Sequence, residues 1–164
     1  TRAIPREQRP EPGLSYLAGL LHNFGYLVLA HVFPPHFSLI CRHLEANPHL
    51  SHSHVEQHLL GITREQIGAW LMRLWGMPEE LAAALRFQND PGYDGEDAAY
   101  PNLVCLAVRM LRNRGIGSGP DAEVPQELFD RLGITREKAN DAVAKVLAAE
   151  AALRALAMQF NTPH

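Results

Sequence analysis

Histidine is the side chain best placed to do chemistry in this sequence. Nine occur in 164 residues, and His49, His52, His54 and His58 fall close together. Neutral imidazole ligates zinc and other transition metals, and His54 and His58, four apart, can share one helix face. The cluster opens a polar helix, with no HExxH signature and no cysteine pair to complete a ligand set. A solvated, histidine-rich face is therefore expected there. His22-Asn23 is different, since it lies within the most apolar segment of the chain, Gly19 to Gly25. A buried polar pair without partners costs ~1–3 kcal/mol per group. It is expected either to tie two helices together or to be the remnant of a site.

Other constellations are missing. There is no GxSxG, and neither Cys41 nor Cys105 neighbours a candidate base. Gly115 to Gly119 is glycine-rich but follows a helical pattern and lacks the Lys-Ser/Thr ending of a phosphate loop. The cysteines are isolated in apolar surroundings, so two buried, reduced thiols in a cytoplasmic protein are expected. Lys plus Arg number 15 against 18 Asp plus Glu, a net charge of −3. That is no footprint for nucleic acid. Ile62 to Leu74, the one conceivable recognition helix, offers only Arg64 and Arg73 as basic groups. The composition, 46% hydrophobic and 20% charged, is that of a globular domain that buries its own core.

The elements that must position these residues all read as helices. The expected set begins with an apolar helix over Leu14 to Phe33. A second follows Pro35 and ends near Asn47-Pro48, and a third starts at Ser53, in a capping box with Glu56, and closes at Gly61. Thr63 and Gln66 box a fourth, which runs to Trp75, and Pro78 opens a fifth that ends near Asn89-Asp90. A sixth runs from about Pro101 to Arg114, a short one from Pro125 to Leu132, and a long last one from Arg136 to Phe160. No alternating strand pattern occurs. Leu60 to Glu65 recurs as Leu132 to Glu137, which reads as two copies of one helix–turn–helix joint. The first helix is long enough to span a bilayer, but His22-Asn23 at its centre argues for a helix buried in a protein, with neighbours on most sides. Residues 1–13 read as linker or frayed helix end, 14–160 as one helical domain, and 161–164 as a tail.

Several segments, in order, carry a resemblance. Tyr16 to Leu29, with its Gly-Leu-Leu-His-Asn-Phe-Gly centre, resembles the hallmark segment of HDOD domains, relatives of the HD metal-dependent phosphohydrolases. Glu56 to Gly61, Ile67 to Leu71, Trp75 to Pro78 and Asn102 to Gly119 resemble the stretches that follow in that family. The resemblance implies an all-α, HD-domain-like bundle of about eight helices. It also implies a degenerate metal site. Where the hydrolases carry His-Asp this chain has His22-Asn23, where they carry a further His it has Arg64, and where they carry His-His it has Gln88-Asn89. An amide is a poor bridging ligand for two hard cations, and a guanidinium repels them.

The function so implied is that of a non-catalytic signalling or output module acting through protein–protein contacts, without cofactor. Receiver or cyclic-di-GMP-related domains are the expected partners, and neither nucleic acid nor membrane is. His22, Asn23, Arg64, Gln88 and Asn89 are expected to line a vestigial pocket in which Arg64 could hold an anion. The rival is a residual metal-dependent phosphodiesterase, with a site rebuilt from His22 and the loop acids Asp90, Asp94, Glu96 or Asp97. The chain resembles the C-terminal portion of the family's domain, so the faces of the first helix are expected to need cover from elsewhere. A homodimer is the simplest source.

Overall fold

The computed structural model describes residues 9–117 and 122–160, with side chains as far as residue 150. Residues 1–8 of the expected linker, the expected tail at 161–164 and the end of the second glycine loop lie outside the described residues. Nine helices follow in order among those described: α1 (Pro12–Leu21), α2 (Phe24–Val32), α3 (Pro34–Ala46), α4 (His52–Leu60), α5 (Arg64–Leu74), α6 (Glu79–Phe87), α7 (Ala99–Arg112), α8 (Gln126–Leu132) and α9 (Arg136–Phe160). The all-α expectation holds. There is one helix more than expected because the first apolar helix is two.

That break falls at His22-Asn23. Asn23 has φ −94° and ψ 9°, outside the helical well, and precedes α2 without a side-chain cap. At the start of α1, Glu11 caps through its carboxylate, which accepts from Gly13 N and Leu14 N at 2.9 and 2.6 Å. The helix therefore begins at Pro12, two residues before the expected start. Pro12–Val32 as a whole is long and apolar enough to cross a membrane by length and composition. Here it folds back on the protein, α1 against α6 and α7 and α2 against α3 and α5.

At the centre, α5 and α6 form a helical hairpin that turns at Gly76, whose φ of +64° suits glycine. Leu81, Ala82, Ala84 and Leu85 of α6 pack with Ala18, Met72, Tyr100 and Val104 in one core. Cys105, Leu106 and Met110 of α7 pack with Leu128, Phe129 and Leu132 in a second. Helix α7 thus belongs to both. The repeated joint takes the same form twice, since Gly61 and Gly133 are left-handed at φ +70° and +60°, and Thr63 and Thr135 cap the helices that follow.

Three expectations about caps and burial change. Ser51, not Ser53, caps α4, accepting from His54 N at 3.2 Å. Ser53 instead donates to Glu65 at 3.3 Å, and Glu56, its supposed box partner, is fully buried. Cys105 is buried but Cys41 is only half-buried, and both are free. The α1–α2 segment is far from covered, with Tyr16 71%, Leu20 64%, Leu27 58% and Val32 59% exposed.

Candidate functional site

The residues singled out by the sequence gather around the α1–α2 break, the start of α5 and the end of α6, each in a different arrangement from the one expected. His22 is half-buried and Asn23 exposed, so the pair is not a sealed core contact. The His22 Nδ1–H donates to Gly19 O at 2.6 Å, the carbonyl being able only to accept. Gln88 is buried, and its amide donates to His22 O at 2.8 Å and Leu85 O at 3.0 Å. The end of α6 therefore ties down the break. Asn89 donates to Glu65 Oε1 at 2.6 Å.

Arg64 is neither exposed nor available to a ligand. Its guanidinium pairs with Glu56, its backbone N–H donates to Glu56 Oε2 at 2.8 Å, and its Cζ lies 4.6 Å over the Tyr26 ring. The pair sits almost wholly away from water, with Arg64 12% exposed and Glu56 0%. Burial pushes the Glu56 carboxyl above the usual glutamate range, although Arg64 pulls it down. The second copy of the joint repeats half of this design, with Arg136 4.7 Å over the Phe129 ring.

A cavity of about 390 Å³ opens between the break and α7. Gly19, His22, Asn23, Val108, Leu111 and Arg112 are among its walls, whereas Arg64, Gln88 and Asn89 are not. The expected five-residue pocket is thus divided, with His22 and Asn23 at the cavity, Arg64 and Gln88 bonded within the helix packing, and Asn89 bonded to Glu65 from an exposed position. Glu65 and Arg112 are the polar residues that sequence reasoning passed over, and Glu56 was read only as a capping partner of Ser53. For Arg112 a signal existed, because Val104, Val108, Leu111 and Arg112 fall at helical spacing on one face.

The residues present do not fit the two-metal site of the hydrolases. Asn23 is neutral, Arg64 is cationic and paired, and Gln88 and Asn89 spend their amides on protein acceptors. Among the described residues no group of three or more His, Cys, Asp or Glu side chains comes together to hold a metal. His49, His54 and His58 are exposed and His52 half-buried. Burial, with the charges of Arg64 and Arg112, holds His52 below the usual histidine range against the opposing pull of Glu65. Among the described residues His22 does not come together with two or more of the loop acids. Asp97, at φ +57°, sits with Glu80, Glu96 and Glu79, which add to burial in raising its carboxyl. That places it by the first turn of α6, whereas His22 is tied to Gln88 just past the last.

The HDOD domain family model matches residues 2–91, more than half of the chain. The chain belongs to the HDOD domain family. An HDOD module of this form also superposes on a crystal structure from Marinobacter aquaeolei VT8, of a protein whose name assigns it to signal transduction. The TM-score is 0.86 and the identity 48%, over 95% of this chain and 34% of that one. An uncharacterised protein of Treponema pallidum (strain Nichols) is 24% identical over 134 residues, 81% of this chain and 26% of that protein. The chain thus spans about a third or less of the relatives it matches. It is an HD-like helical module.

Proposed function

We propose that this HDOD module is non-catalytic and transmits a signal by protein–protein contact. What carries the reading is the fate of the ligand positions: an amide at 23, an ion-paired guanidinium at 64, and amides at 88 and 89 whose hydrogen bonds hold helices together. Metal-assisted hydrolysis needs a bound ion to lower the pKa of a water, and these side chains supply no donor set for one.

The contact surface is apolar and lies across α2 and α5. Leu27, Val32, Phe33, Trp70 and Leu74 are each between 46% and 78% exposed, and an apolar groove of about 540 Å³ runs between Val28, Leu60, Ile67 and Trp70. Exposed apolar area on this scale marks an interaction face. A second copy is its first occupant, with receiver or cyclic-di-GMP-related domains as the signalling partners that the family implies.

Light scattering on the intact chain tests this. The expected mass is twice 18.2 kDa, falling to the monomer value in Trp70→Glu with helicity unchanged. A monomer at all concentrations removes the dimer. Stoichiometric metal in untagged protein, with phosphodiesterase turnover abolished by His22→Ala, defeats the non-catalytic reading.

A further inference from the structure

From the cavity between the α1–α2 break and α7 we infer that this chain holds a small organic anion, its oxyanion head on Arg112 and its apolar body against α7. The site is distinct from the apolar face of α2 and α5 and does not depend on what covers that face.

The argument begins with an unanswered charge. Arg112 closes the last turn of α7, and its Nε is buried with no hydrogen-bond partner. Among the described residues Arg112 makes no ion pair and no side-chain hydrogen bond. Its condition differs from that of the other arginines nearby. Arg64 has Glu56, Arg109 donates to Glu123 O, and Arg114 donates to Met110 O and to Asn140 Oδ1 at 3.0 and 2.9 Å. A buried donor on a charged group left without an acceptor is costly. Arg112 also lines the cavity, where an anion would supply the counter-charge that it lacks.

The walls fit that guest. Three polar side chains border the cavity: Arg112, His22 and Asn23. None is a carboxylate, so nothing in the lining repels an anion. Glu56 is committed to Arg64, and Glu65 to Ser53 and Asn89. His22 Nδ1 is fixed on Gly19 O, which holds the ring in one orientation. The Asn23 side chain makes no cap bond to α2 and keeps its donors free. Val104, Val108, Leu111 and Ile116 complete the lining with apolar surface. A guanidinium fork reads a phosphate or a carboxylate in two parallel bonds, and about 390 Å³ lies in the range of sites for small ligands. The ligand class is therefore a phosphate monoester or a carboxylic acid with a compact, partly apolar body.

The test uses the intact chain at fixed ionic strength and follows the backbone amide resonances of Gly19, Asn23 and Gly117 at the cavity in every variant, together with the wild-type Arg112 Nε–H resonance, assigned by its loss in Arg112→Gln. Three probes are titrated separately: inorganic phosphate, adenosine monophosphate and hexanoate, with chloride as the ionic control. A saturable shift with at least one probe is expected, weakened at least tenfold in Arg112→Gln, several-fold in Asn23→Ala, and unchanged in Arg73→Gln. Which probe saturates separates a phosphate-headed ligand from a carboxylate and a free ion from one with a body. A second measurement guards against misfolding, because the ligand-free Arg112→Gln protein is expected to melt at or above the wild-type temperature, an unpaired buried charge having been removed. No saturable shift with any probe up to about 10 mM, equal binding by Arg112→Gln, or a clear fall in its melting temperature each overturns the proposal.

Discussion

Arg64 and Glu56 set opposite expectations for the two halves of one ion pair. Removing the arginine leaves a fully buried carboxylate without its partner, a loss of about 3–5 kcal/mol. Arg64→Ala is therefore expected to be severely destabilised at pH 7 in chemical denaturation. Glu56→Gln keeps the shape and an acceptor for the guanidinium, and is expected to lose less stability than Arg64→Ala. The pH dependence separates them further. Burial raises the Glu56 pKa in the folded state, so its contribution is complete below the unfolded carboxyl's pKa and is lost as pH rises through the folded value. Wild type should thus lose stability relative to Glu56→Gln as pH climbs out of the ordinary glutamate range, and the Arg64→Ala penalty should shrink towards about pH 4. His52 carries the opposite sign. Its folded pKa is lowered, so its contribution is present above the unfolded histidine value and is lost as pH falls through the folded one. As pH falls below about 6.5, wild type should lose more stability than His52→Gln, measured as the difference between the two denaturation curves. An equal slope in both proteins would show that His52 is not held neutral by its surroundings.

At the scale of helices, the sharpest constraint is the crossing of α2 over α5. A Cβ on Gly25 would stand 1.9 Å from Arg64 O and 3.1 Å from Gly68 N, both backbone atoms of a helix whose start is fixed by the Thr63–Gln66 capping box. Gly25→Ala is expected to cost about 3 kcal/mol or more, since overpacking against backbone has no side chain to absorb it. Gly68→Ala meets the Leu85 Cδ2 at 3.0 Å and recovers about 1 kcal/mol of helix propensity, so a net change of about 1 kcal/mol or less is expected. Thermal melts of the two variants check the contrast, and equal losses would mean that the helices do not cross this closely. Both glycines stood in the motif segments from which the family was read, but the sequence offered no reason for them. The joints were readable because Gly61, Thr63, Gly133 and Thr135 act through local backbone rules. The break at His22-Asn23 was not, because continuous apolar residues on both sides look like one helix. What interrupts it is long-range, the Gln88 amide reaching His22 O from 66 residues away. Glu56 was misread for a related reason. Its spacing from Ser53 satisfies a capping box, and only the fold shows that Arg64 takes the carboxylate instead.

The whole molecule is joined through α7. Tyr100 and Val104 lie in the core shared with α6, and Cys105, Leu106 and Met110 in the core shared with α8. Tryptophan reports on one side only, since Trp70 and Trp75 both belong to α5 and its end. A lesion on the other side is therefore a test of coupling. Leu128 is fully buried in the α7–α8 core, and Leu128→Ala should cost about 2–5 kcal/mol. If α7 makes one cooperative unit, tryptophan fluorescence and far-ultraviolet circular dichroism will shift together to a lower melting temperature, although no tryptophan is near the cavity created. Two separated transitions, with the fluorescence midpoint unmoved, would divide the protein into independent halves. The size of the exposed surface bears on the same question. A compact chain of this mass should expose roughly 8,000 Å², and this one exposes 10346 Å². Part of the excess is the open apolar face of α2 and α5. Contact there would stabilise the first core directly, and through α7 it would reach the second, together with the cavity that Arg112 closes. The non-catalytic role proposed for this module needs such a connection, in which occupancy of one face alters the stability of a helix shared with the other.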